Sequence, residues 1–162
     1  MQNKKSTLWL TQGAIIAAMY VALARVFAPI SYGAIQLRIA EVLTILPMFT
    51  SSAIPGLFIG CVLANLLGGA VLLDVVFGSL ATLIGAALGW MLRKNRWLVP
   101  IPAVLANALI IPFVLRYGYA VDMPLWLMML TVGAGEVGGC YILGELLASV
   151  LLKRRDIFRS KK

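Results

Sequence analysis

Histidine is absent from the chain, and six acidic residues stand against fourteen basic ones. Without histidine there is no His-ligated metal site and no imidazole base, so no metal site is expected. Two cysteines, Cys61 and Cys140, lie far apart in apolar runs and form no CxxC pair; small interior packing is their expected role. The Walker A pattern G-x-x-x-x-G-K-[ST] is missing, which excludes ATP hydrolysis by that route. No recognisable nucleophile arrangement is present either, and the loops are too short for a soluble catalytic domain. Charge is scarce altogether, at 12% of residues. Stretches 6–24, 42–73, 75–92 and 97–115 carry none, and these run to 19, 32, 18 and 19 residues.

What fills those stretches is apolar: hydrophobic residues make up 62% of the chain, against roughly 45–50% in globular domains. A helix needs roughly 20 apolar residues to cross a bilayer. Runs of this length are too long for buried strands, and the short alternating segments of a membrane barrel are missing. The first run also outlasts a signal-peptide core and lacks a clear small-x-small cleavage site. The sequence predicts one all-α integral membrane domain over 1–162, with helices at about 8–28, 37–50, 54–67, 74–92, 98–115 and 124–152. Pro29, Pro55 and the Gly68-Gly69 pair mark boundaries. Helices 37–50 and 54–67 are short for upright spans, and short helices in membranes tend to border a cavity. No internal repeat or linker is visible.

The net charge of +8 invites a nucleic-acid reading, but the basic residues cluster at helix ends. Lys4 and Lys5 precede the first helix, Arg93, Lys94 and Arg96 occupy the middle loop, and Lys153, Arg154, Arg155, Arg159, Lys161 and Lys162 follow the last. This is the positive-inside pattern, not a groove-tracking stripe, so no nucleic-acid partner is expected. An even helix count puts all three clusters on one side, which predicts six spans with both termini cytosolic. Trp9, Trp90, Trp97 and Trp126 fall near the expected interfaces, as an aromatic belt does. Tyr32, Tyr117, Tyr119 and Trp126 would alternatively stack on a planar ligand.

Polar groups at bilayer depth cost about 2.5–3.5 kcal/mol each when ionisable, so their positions carry information. Six converge on the outer half of the bundle in this topology: Arg38, Glu41, Asn65, Asp74, Asn107 and Glu136. They are the candidate site for one small polar solute. Each also has a plainer reading. Arg38 and Glu41, three apart, would form a structural ion pair; Asp74 would cap the fourth helix; Asn65 and Asn107 would be interhelical glue. Glu136 sits among glycines without an evident local partner. Glu145, nine residues later and nearer the basic tail, suits snorkelling or a partner contact. On the first helix, Ala14, Ala18 and Ala22 form a small-residue stripe, suited to close approach of another helix inside or outside the chain.

The segments AIQLRIAEVLTILPMF, GCVLANLLGG, LDVVFGSLATLIGA, AVLANALIIPF and VGAGE resemble the QueT family of queuosine-precursor transporters. The similarity runs from about 12 to 155; Arg-x-x-Glu at 38–41 and Leu-Asp-x-x-Phe-Gly-Ser at 73–79 are its most distinctive pieces. Family members are substrate-binding S components of energy-coupling-factor (ECF) importers. The resemblance therefore implies a six-helix S-component bundle in the cytoplasmic membrane and a 7-deazapurine ligand. It also implies a transmembrane coupling subunit with two ATPase subunits as partners, and no cofactor in this chain. In S components an Ala-x-x-x-Ala face on the first helix docks the coupling subunit, and Ala14, Ala18 and Ala22 match it. Competing expectations are an S component for another vitamin or nucleobase, and a solitary proton-coupled carrier.

Overall fold

The computed structural model describes residues 2–31 and 38–153, with backbone alone for 2–5, 30 and 31. Tyr32 and the basic residues 154–162 therefore lie outside the described residues. Everything described is helix, turn or connection, without a strand. Helix α1 covers Gln2–Val26, followed after one turn residue by the short α2, Ala28–Ser31. A 3₁₀ helix spans Ile39–Met48, and α3 spans Ala53–Gly68. The next three elements are continuous composites. A π segment, Asp74–Gly78, runs into α4, Ser79–Met91; a 3₁₀ turn, Arg96–Leu98, leads to α5, Ile101–Gly118. Finally α6, Leu125–Glu136, passes through a π segment, Val137–Leu143, into α7, Gly144–Leu152.

Four of these stretches are long and apolar enough to cross a membrane: Ser6–Val26, Asp74–Met91, Arg96–Gly118 and Leu125–Leu152. Ile39–Met48 and Ala53–Gly68 are the two shorter apolar helices, as their spacing in the sequence predicts. Pro29 does not end the first helical stretch as expected. The break comes at Phe27, and Pro29 sits in the first turn of α2, where its missing N–H costs nothing. The glycine pair does act as predicted: Gly69 caps α3 with φ +71°, a left-handed conformation that favours glycine.

Contacts along the helices fix their relative directions. Trp9 Nε1 donates to Ser51 Oγ at one end of α1, and Arg25 Nη1 donates to the Leu67 carbonyl at the other. α1 and α3 therefore run parallel. Between these points a Cβ on Gly56 would lie 2.7 Å from the Gly13 carbonyl oxygen, so the two backbones touch. Gly85 meets Ala103 and Gly89 meets Val99, which sets α4 and α5 antiparallel. Gly139 abuts the Arg38 carbonyl and Gly144 faces Val42 and Ile45, so the 3₁₀ helix runs parallel to the last helix. One end of the bundle thus gathers Arg25, Arg38, Leu67, Asp74 and Tyr119. The other gathers Trp9, Ser51, Arg96 and Ser149.

Apolar packing fills the space between helices. Ile16, Tyr20, Leu43, Leu46, Leu57 and Cys61 form the centre of one cluster. Outward faces carry Leu, Ile, Val and Phe side chains, with Leu72 and Met91 more than 70% exposed. For a chain whose solvent is lipid, that inversion is the expected arrangement.

Candidate functional site

Three departures from α-helical geometry carry the charged interior. Residues 39–48 form a ten-residue 3₁₀ helix, longer than the usual three or four, with Glu41 in its first turn and Arg38 as its N-cap. Asp74 opens one π segment, and Glu136 immediately precedes the other. Such irregular turns are frequent at functional sites because they re-aim side chains that a regular helix would hold elsewhere.

Glu41 is fully buried. Its Oε1 accepts hydrogen bonds from Tyr20 Oη at 2.5 Å and Thr82 Oγ1 at 3.0 Å, which leaves Oε2 with no partner among the described residues. Glu136 is handled alike: Cys140 Sγ donates to Oε2 at 3.0 Å, and Oε1 has no hydrogen-bond partner among the described residues. A carboxylate oxygen of Glu41, one of Glu136 and Cys140 Sγ lie within 4.8 Å of one another. By distance these three donors could share a metal ion, an arrangement that the expectation of no metal site did not foresee. Asn107, 0% exposed, lies beside Glu136, yet neither its Oδ1 nor its Nδ2 completes a well-formed hydrogen bond among the described residues. An unmet buried polar group costs about 1–3 kcal/mol. Two carboxylate oxygens and an amide without partners among the described residues are thus gathered in one interior, an arrangement able to receive the polar atoms of a ligand.

Arg38 and Asp74 close one end of this cluster. The structure corrects the Arg38–Glu41 pairing: Arg38 Nη2 pairs with Asp74 Oδ1 at 3.4 Å, both side chains being largely buried. The reason is local. Arg38 has φ −80° and ψ 86°, outside the helix, so its side chain leaves the face that carries Glu41. Its charge is near enough to act on Glu136 as well. Asp74 is likewise no helix cap. Its Oδ2 accepts from Tyr119 Oη at 3.0 Å, while Oδ1 faces Arg38. The Asn65 amide donates to the Asp74 carbonyl at 3.1 Å, so Asn65 is interhelical glue in this state.

The six residues singled out from the sequence are thus brought to one region, in two layers. Glu41, Glu136 and Asn107 face inward with open valences among the described residues, and Arg38, Asp74 and Asn65 tie together the segments at one end of the bundle. Sequence reasoning missed Tyr20, Thr82, Cys61 and Cys140 as members, and it offered Tyr119 as a stacking ring, whereas its hydroxyl bonds Asp74. Cys140 stands one turn after Glu136, and that i, i+4 spacing was the available signal. Cys61 Sγ accepts from Asn65 Nδ2 at 3.7 Å and lies 3.6 Å from Thr82 Oγ1, so neither thiol is mere packing. Glu145 also departs from expectation: it is buried and pairs with Arg96 Nε at 2.9 Å, away from the interior cluster.

On the far side of α1, Ala14, Ala18 and Ala22 are exposed and line an apolar groove of about 700 Å³ with Gly13, Ala17 and Ile59. The stripe therefore faces outward, and Ala17 makes the internal contact with Gly60.

A helical bundle with an apolar exterior and an unsatisfied polar interior defines a membrane transporter. Comparison with known proteins specifies it: residues 10–153 match the QueT transporter model, and the chain belongs to that family. A protein of Lactococcus lactis subsp. cremoris (strain MG1363) described as queuosine precursor transporter QueT is 29% identical over 171 residues. The match covers 97% of this chain and 99% of that one. No solved structure matches.

Proposed function

We propose that this chain is the substrate-binding S component of an energy-coupling-factor importer. It takes a queuosine precursor, a 7-deazaguanine derivative, from outside the cytoplasmic membrane and releases it inward. The single observation that carries the reading is the group of open valences at Glu41 Oε2, Glu136 Oε1 and Asn107, buried inside a member of the QueT transporter family. A 7-deazaguanine presents a ring N–H beside an exocyclic amine, and two free carboxylate oxygens are matched acceptors for them. Asn107 Nδ2 donates to the ring carbonyl. Arg38 and Asp74 close over the ligand, and Tyr119 holds the closure.

In this reading all six helical stretches cross the membrane, with the short 39–48 and 53–68 helices included and both termini cytosolic. The basic residues of the 92–98 loop and both termini then lie on the cytosolic side. Ala14, Ala18 and Ala22 form the docking face for the transmembrane coupling subunit, whose two ATPase subunits supply the energy. A solitary proton-coupled carrier is the second reading, favoured by the two adjacent buried carboxylates, Glu41 and Glu136.

Uptake separates the two. Cells that make the chain together with a coupling module are expected to accumulate labelled 7-aminomethyl-7-deazaguanine. Inactivating the ATPase subunits is expected to reduce accumulation to background. Undiminished uptake without any ATPase would establish the solitary carrier instead.

A further inference from the structure

We propose that Tyr20 transmits occupancy of the interior site to the α1–α3 groove, so that a bound solute changes the surface offered to the coupling subunit. The coupling presupposes the transport reading above, with that groove as the docking face.

Tyr20 is the one residue of α1 whose side chain reaches the carboxylate cluster through a hydrogen bond among those described, 2.5 Å from Glu41 Oε1. It is 3% exposed and belongs to the apolar core, so the phenol cannot swing aside freely. Behind the ring, the backbones of α1 and α3 meet with nothing compressible between them. A Cβ on Gly60 would lie 2.8 Å from Tyr20 Cβ and 3.1 Å from both Cα and the carbonyl oxygen of Ala17. In the next two positions the helix presents Val21 and Ala22 to the groove; two and three positions before Tyr20 it presents Ala18 and Ala17. The same turn of α1 thus holds the site on one side and the groove on the other.

Glu41 is the hinge of this connection. Oε1 is shared by two donors, while Oε2 is open. A ligand donor at Oε2 draws the carboxylate toward the solute and away from Tyr20 or Thr82. Thr82 sits on α4, which lines no part of the groove, and its contact toward that face is with Cys61 Sγ on α3 at 3.6 Å; the direct path from Glu41 to the groove runs through Tyr20. Close-packed interiors pass such shifts on rather than absorb them. Linkage makes the effect reciprocal: a subunit seated in the groove alters solute affinity by the factor with which solute alters docking.

Nitroxide labels at Ala18→Cys and Ile59→Cys, both on exposed groove positions, report the α1–α3 spacing through dipolar broadening. Cys61 and Cys140 are buried and escape labelling. Saturating 7-aminomethyl-7-deazaguanine is expected to change the broadening in the otherwise native protein. Tyr20→Phe, read at its own saturating concentration, is expected to bind but show no change. Thr82→Val removes the other donor to the same oxygen and is expected to bind more weakly while keeping the response. An unchanged spectrum in the native background with ligand bound, or an equal response in Tyr20→Phe, would overturn the coupling. Complete loss of binding in Tyr20→Phe alone would make Tyr20 a ligand-holding group and overturn it too. If the native protein binds no deazapurine, the transport reading fails first and is recognised by that absence.

Discussion

Alanine at Glu136 is expected to weaken binding of a 7-deazaguanine by about 100-fold or more, equivalent to ~2.7 kcal/mol. Two effects combine. A charge-assisted hydrogen bond to Oε1 is lost, and the ligand's N–H is left buried without an acceptor. Stability should change less than affinity, because among the described residues the hydrogen bond that Glu136 makes is the one from Cys140 to Oε2, and the Arg38 charge near it keeps Asp74 as its direct partner. Glu41→Ala is expected to reduce affinity similarly, but with a larger cost in stability, since it removes the acceptor of the buried Tyr20 hydroxyl and leaves Thr82 the Gly78 carbonyl instead. Titration calorimetry and thermal melting on the same detergent-purified samples measure both quantities. Unchanged affinity in both variants would remove the two carboxylates from the ligand site.

The second large effect concerns the outer closure. Asp74→Ala is expected to destabilise the protein by roughly 3–5 kcal/mol, the scale for removing one partner of a buried ion pair. It leaves the Arg38 guanidinium buried without its paired carboxylate and removes the Tyr119 Oη bond to Oδ2. Arg38→Ala in the same chain should recover part of that loss, because no uncompensated cation then remains. A double-mutant cycle read by chemical unfolding checks the point: strong coupling between positions 38 and 74 is expected, and additive losses would contradict the pairing. The Asn65 bond is unaffected by either change, since it goes to the Asp74 backbone carbonyl.

Much of this architecture is legible in the chain. Uncharged runs long enough to span a bilayer, broken by Gly68-Gly69 and by the basic 93–96 cluster, give the helices and their order. The scarcity of charge makes each buried polar residue conspicuous, which is why Glu41, Asn107 and Glu136 stand out before any geometry is known. Their partners are less visible. Tyr20 and Thr82 are single hydroxyls in apolar runs, and neither composition nor periodicity distinguishes them from packing residues.

Pairing is harder still to read, because it depends on backbone departures from the regular helix. Spacing puts Arg38 and Glu41 on one face only if both are helical, and Arg38 is not. Glu145 looked toward the basic tail on sequence distance alone, whereas antiparallel packing brings Arg96, 49 positions earlier, to 2.9 Å. The alanine stripe was visible as a stripe; that it faces outward while Ala17 faces α3 required the rotation of α1, which a nearly uniform apolar helix does not reveal.

The most direct test of the account is equilibrium binding of the purified chain to 7-cyano-7-deazaguanine, 7-aminomethyl-7-deazaguanine, queuine and guanine. Tight binding of at least one queuosine precursor, with guanine far weaker, is the predicted result and identifies the cargo. Failure of folded protein to bind any of the first three would contradict it, leaving the helical bundle and its family in place without the proposed ligand.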